Sequence, residues 1–394
     1  MRWLLLLAGL VACGRIADRG DVRVRDSAGI QIVESRAPAA PGSVLVDSVP
    51  AFDRGGASGG AEYEYIGPIS AAVRLSDGRI VAAGWAQTEL RVSDSTGRWL
   101  VTIGRQGSGP GEFEGLGWLY RGRADSLITF EPNNRRLQVF DSAGNFGRLS
   151  TPSRLGERGF PRTEGVFGDG SILLRSSLMD PAAGTDRTIR NRMTVLRYRP
   201  DADEADSIAG YLGSPNLRHP KNPQWQYGMA LFAPTHSVAA LGDRLAMSTG
   251  DRFSISLLDL SGHLWRIVRR PWTPVPVSAA EIAAAAAKWV EDVDPEIREA
   301  IRAGLIAISD ATVKPAIGSI RFATDGRLWV EYGGQDEADA RRFAVFDSSG
   351  RWQSDATIPA SVTVLEIGSD YLLASTRDDD GFYHLRRYRV KLGG

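Results

Sequence analysis

The chain has 394 residues, with lysine plus arginine at 47, aspartate plus glutamate at 47, and a single cysteine. Zero formal net charge excludes a field that gathers nucleic acid, and one cysteine excludes an intrachain disulfide or a thiolate metal cluster. The length would allow two domains, but internal repetition points to one large array of stacked units.

Arg2 precedes an apolar run over residues 4–12. Such a run is too short for a permanent membrane span and has the form of an export signal. Leu10-Val11-Ala12-Cys13 resembles the bacterial lipoprotein signal. That resemblance implies a signal peptide over 1–12, cleavage before Cys13, and lipidation of Cys13 as the anchor to the bilayer. Several acyl chains hold where one binds marginally. Gly14 in place of an aspartate after the cysteine implies sorting to the outer membrane of a bacterial envelope. Residues 13–21 read as a polar leash, and 22–394 as the folded body.

Residues 22–35 alternate apolar and polar around Asp26-Ser-Ala-Gly29, half a strand unit without a partner nearby. Residues 37–60 are rich in Pro, Gly, Ala and Ser and read as loop, with one short strand at 44–46. Units of four short strands then follow at 71–102, 118–149, 165–212, 238–269 and 317–358, and an incomplete sixth begins at 362. An Asp-x-x-Gly turn marks them at Asp94, Asp141, Asp259 and Asp347, with a degenerate copy at 199–203. Tight hairpins need such turns. The runs at 172–174 and 328–330 are apolar throughout, which suits a sheet covered on both faces. Trp99, Phe146 and Trp352, each two residues past a turn glycine, are expected to fill the gaps between sheets.

The expected fold is therefore all-β, a six-bladed β-propeller. Its last unit lacks an outer strand, and the strand at 30–34 is expected to supply it beside 383–390, hiding an open edge. Ser278-Ala-Ala-Glu281 is a capping box before an alanine-rich run, and Asp294-Pro295 restarts a second helix. A short helical insert at about 278–310 thus separates the fourth and fifth blades.

Gly104-Arg-Gln-Gly107-Ser-Gly109-Pro-Gly111-Glu-Phe113, followed by residues 134–141, resembles the NHL-repeat signature, and the chain is similar to NHL and TolB-like bacterial propellers. The resemblance implies binding surfaces built on loops. The long connections, at 179–192, 213–237 and 273–316, all belong on one face. On or near it fall Trp85, Trp118, Arg135, Arg187, Trp225 and Tyr227, the candidate ligand-binding residues, with Arg190 and Arg192 beside them. The expected role is a ligand-binding or scaffold module whose partner is a protein, peptide or glycan and not nucleic acid.

Catalytic motifs are weak. Residues 56–60 match G-x-S-x-G but lack the strand and helix of a nucleophile elbow, and 104–111 has no helix or G-K-[S/T] behind it. His219, His236, His263 and His384 form no ligand pair by spacing. Asp378-Asp379-Asp380-Gly381 offers oxygens of the kind calcium prefers. Six-bladed lactonases hold calcium in the channel, and by analogy Glu131, Asn133, Asn134 and Glu331 fall near channel-facing ends here, although they align to no metal-binding set. No catalytic residue and no metal ligand is assigned, and no cofactor is required. Calcium, in a calcium-dependent lactonase or hydrolase, is the alternative left open.

Overall fold

In the computed structural model, which describes residues 17–56, 67–85, 87–152, 160–222, 226–333 and 340–392, the repeated units form six sheets around one axis. Blade one is Ile69–Arg74, Ile80–Gly84, Leu90–Ser93 and Trp99–Ile103. Blade two is Trp118–Arg121, Leu127–Glu131, Arg136–Phe140 and Phe146–Ser150. Blade three is Phe160–Val166, Ile172–Asp180, Thr188–Arg199 and Glu204–Leu212. Blade four is Ser237–Leu241, Arg244–Ser248, Ser254–Leu258 and Leu264–Arg269. Blade five is Ile320–Phe322, Leu328–Tyr332, Ala340–Phe346 and Trp352–Pro359. Blade six is Thr363–Ile367, Tyr371–Arg377 and Tyr383–Leu392, finished by N-terminal chain. The protein is a six-bladed β-propeller.

The core is a circle of separate apolar clusters, one at each junction. Val81 and Leu90 meet Leu119 and Phe140 between blades one and two. Phe130 meets Leu174 and Tyr198 between two and three, and Phe167 meets Val238 and Leu245 between three and four. Ile255 meets Val330 and Phe346, and Trp329 meets Leu372 and Tyr388, at the next two junctions. Ile80 against Leu373 and Leu385 completes the circle between blades six and one. Each sheet is covered on both faces, which explains why second strands such as Ile172–Leu174 and Leu328–Val330 are buried throughout.

The Asp-x-x-Gly turns have one geometry. Asp141 Oδ1 accepts from the backbone of Ala143 and Asn145 at 2.9 and 2.8 Å, and Gly144 sits at φ +89°. A Cβ at Gly144 would also lie 2.6 Å from Ile103 of the preceding blade, so both conformation and space demand glycine. Of the three aromatics expected between sheets, only Trp352 is buried, at 8 % exposure. Trp99 and Phe146 lie on outer strands at 40 % each, where no further sheet covers them.

The ring closes through an N-terminal strand, but not the one at 30–34. Ile30–Ser35 adds in parallel to Leu264–Arg269 of blade four, with Ile32 opposite Ile267 and Val33 opposite Val268. Val22–Ser27 and Ala17–Arg19 continue that sheet outward, so part of the expected leash pairs as a strand. The backbone then crosses blade five, where Ala39 and Ala40 donate to the carbonyls of Trp352 and Gln353. Val44–Val46 and Phe52–Gly55 pair with Tyr383–Leu392 and complete blade six. The physical reason lies in burial. Val33 packs at 1 % exposure beside blade four, while Val44 and Phe52, at 3 and 5 %, supply the apolar side chains blade six lacks.

The insert is helical as expected, with α1 at Ala279–Trp289 and α2 at Pro295–Ile308. Ser278 and Glu281 cap each other reciprocally, and Asp294 accepts from Glu296 N at 2.9 Å. Ile297, Ile301, Leu305 and Ile308 face Leu217 and Ala230, so the insert has its own small core. The expected loop at 179–192 is instead mostly an overhang of blade three, whose second and third strands run to nine and twelve residues.

Candidate functional site

Strand alternation turns one residue in two of each innermost strand toward the axis. All six innermost strands line a central cavity of about 490 Å³, a size that suits a small molecule. Its two mouths differ. On one face the first turns of neighbouring blades bond to each other. Ser76 N donates to Asp125 at 2.8 Å, Gly168 N to Gly242 O at 2.6 Å, and Thr324 N to Ile367 O at 2.9 Å. Inside that mouth Arg121 donates to Arg74 O at 2.8 Å, and Glu366 accepts from Arg74 N at 2.8 Å and Tyr371 hydroxyl at 2.5 Å. Burial pushes the Glu366 carboxyl above the usual glutamate range.

The opposite mouth carries the long connections. There Trp85, 44 % exposed, meets Trp118 edge to face at 5.0 Å, and the Arg162 guanidinium lies 6.0 Å from the Trp118 ring. The Gly-rich stretch at 104–113 borders this mouth but closes on itself. Arg136 donates to the carbonyls of Ser108 and, at 2.7 Å, Glu112, and it pairs with Glu131 at 2.8 Å. Gln138 bonds Glu112 O and Gly111 N at 2.8 Å each. The NHL-like residues therefore hold a loop in place.

From the decorated mouth into the channel runs a charged layer. Arg175 pairs with Glu164 at 2.6 Å and donates to His236 O at 3.1 Å. Arg341 grips Glu331 with two nitrogens at 2.7 Å each, and Ser319 donates to Glu331 at 2.6 Å. Tyr120 donates to Thr163 O at 2.8 Å, and burial raises its hydroxyl pKa well above normal. Burial also holds Glu164 above the usual range against the pull of Arg175. Arg321, the middle residue of Ile320–Phe322, lines the cavity beside them.

Of the sequence candidates, Trp85 and Trp118 come together at the channel mouth. Tyr227 goes to the insert, edge to face with Trp289 at 5.6 Å and His219 at 5.4 Å. Arg187 is exposed and lines a groove of about 380 Å³ with Leu217, His219 and Gly304. Arg135 takes the left-handed position of its turn, φ +51°. Trp225 and Cys13 lie outside the described residues, as do residues 57–60 of the G-x-S-x-G match. His219 and His236 do not meet, since His236 stacks on Tyr211 at 3.7 Å. Sequence reasoning missed Arg321, Glu164 and Glu366. Their only signal was a charge inside a short innermost strand, as in Ile-Arg-Phe.

The donor set does not fit calcium. Glu131, Glu164 and Glu331 each face an arginine, Asn134 donates to Glu114 at 2.6 Å, and the Asp378 carboxylate takes His384 Nε2 at 3.0 Å and Phe382 N at 2.7 Å. Among the described residues no three metal-ligating side chains converge. His384 is itself held on its other nitrogen by Asp53, 2.7 Å away.

No family model and no curated protein matches the chain. Solved structures similar to it include a protein from Bacteroides fragilis described as exported, at 12 % identity, covering 92 % of this chain and 100 % of that one with a TM-score of 0.49. A calcium-binding protein, regucalcin, from Agrobacterium tumefaciens aligns at 12 % identity over 89 % and 96 %, TM-score 0.39. Virginiamycin B lyase from Staphylococcus aureus aligns at 10 % identity over 82 % and 79 %, TM-score 0.37.

Proposed function

We propose that the chain is a binding module of the bacterial cell envelope, anchored through acylated Cys13 at the outer membrane, that takes a protein or peptide partner on its insertion-bearing face. The observation that carries this reading is the asymmetry of the ring. One face consists of short turns bonded to each other, and the other carries α1, α2 and the overhang of blade three.

That second face presents side chains of the kind binding interfaces use. Trp289 and Met229 are 41 and 39 % exposed on the insert. On the overhang, Leu178 and Leu212 flank Arg192 directly across the strands, at 47 and 41 % exposure. A rigid circular scaffold holding an apolar, arginine-bearing rim suits recognition better than chemistry.

The test is fractionation followed by rebinding. Cys13→Ala is expected to move the protein from membranes to the soluble fraction. Added back to envelopes from expressing cells, the released protein should bind saturably. The same protein with 278–311 replaced by a short turn should not, although it still melts cooperatively. Such an excision is geometrically open because Val277 N and Thr312 O already bond across the base at 3.0 Å. Continued membrane retention of Cys13→Ala would refute the anchor, and equal rebinding after excision would refute the face.

A further inference from the structure

We propose that the central channel is a second, independent site, which holds a small organic anion with its carboxylate or phosphate on the guanidinium of Arg321. Four guanidiniums, of Arg162, Arg175, Arg321 and Arg341, and two carboxylates, of Glu164 and Glu331, meet in the charged layer. Arg341 is satisfied by Glu331 through two bonds, and Arg175 by Glu164. Both carboxylates are thereby used, and Glu331 takes Ser319 as well. Arg321 is left over. Unlike Arg175 and Arg341, it makes no ion pair and no hydrogen bond among the described residues, and its Nε, like that of Arg175, is covered without a partner.

A guanidinium partly withdrawn from water without an ion partner is unfavourable, and Arg321, half-buried on the channel wall, is open to a ligand that would supply one. Burial pulls the Arg321 guanidinium below the usual arginine range and the neighbouring Arg341 adds to that pull, against the weaker opposing influence of Glu331 and Glu164. The surroundings match an anion with an apolar body. Trp118, Val238 and Leu365 share the cavity wall with Ser70, Ser237 and Thr363. Planar guanidinium suits two-pronged contact with carboxylate or phosphate.

The test uses the full chain in detergent and two probes, benzoate and inorganic phosphate, with neutral benzamide as control. Calorimetry is expected to show one benzoate or one phosphate per chain, and no benzamide. Which probe binds more tightly identifies the head group. Arg321→Gln should weaken that binding by roughly tenfold or more, and Arg321→Lys should keep part of it. Without added anion, Arg321→Gln should melt no lower than the parent, because it removes an unpartnered charge. Failure of both anions to bind would overturn the proposal, as would equal binding by Arg321→Gln. A lower melting temperature for Arg321→Gln would also overturn it, since the fold itself would then be the partner.

Discussion

Glu164 and Glu366 are both held above the ordinary glutamate range by burial, and each controls something different. For Glu366 the linkage runs against stability. The folded state holds its proton more tightly than the unfolded chain. Its cost is therefore absent below the ordinary glutamate pKa and sets in as pH rises through the raised one. Glu366→Gln should melt above the parent near neutral pH, and the gain should vanish in acid. A gain unchanged with pH would contradict the assignment. Glu164 faces Arg162, Arg175 and Tyr211 from its own blade, Tyr120 from blade two and Arg321 from blade five. Its protonation on acidification would leave the charged layer more positive, so anion affinity should rise as pH falls. Neither glutamate stood out in the sequence, because a charge on a three- to seven-residue strand looks the same whether it points to solvent or to a channel. Arg136 shows the converse. The sequence marks its neighbourhood through the glycines of 104–111 and the stretch 134–141 that follows, and the structure supplies the reason. One buried guanidinium, side chain 8 % exposed, ties the loop to Glu131 at 1 %. Breaking a buried pair of this kind costs about 3–5 kcal/mol.

At the scale of elements, strand order within each blade was legible. Asp-x-x-Gly turns fix where hairpins reverse, and unbroken apolar runs fix which strands are covered twice. The closing strand was not legible, for a physical reason. Two N-terminal segments can each add to an exposed sheet edge, and alternation alone favoured the longer one at 30–34. What decides is packing: Ile32 and Val33 fit against Val268 and the Gly350 turn, whereas Val44 and Phe52 fit the gaps beside Val390 and Leu385. Two deletions separate these roles. Removing 44–55 should abolish cooperative melting, since the junction between blades six and one loses Phe52. Removing 17–35 should lower the transition and leave it cooperative. Equal effects of the two deletions would contradict this division. The helical insert was readable from its caps alone, because Ser278, Glu281, Asp294 and Pro295 are local signals that need no tertiary context. Its docking on Leu217 was not, since that contact joins segments about ninety residues apart in sequence.

For the whole molecule, the proposed attachment and the proposed binding face occupy different places. Ala17 lies on the outermost strand of the seven-stranded sheet of blade four. From there Cys13 is four residues away, a reach of roughly 14 Å at full extension. A body held by its rim through the proposed anchor would leave both channel mouths and the insert open, which a tether at either mouth would not. The two proposals place a partner on the decorated face and a small anion at the axis of one ring. Site-specific photocrosslinking in expressing cells tests the partner face most directly, with the reactive side chain placed at Trp289 on the insert or at Ala143 on the turn face. Both positions are exposed, so labelling chemistry alone does not distinguish them. A single discrete adduct from position 289 and none from position 143 is the predicted result. Equal adducts from both positions, or adducts from 143 alone, would contradict it.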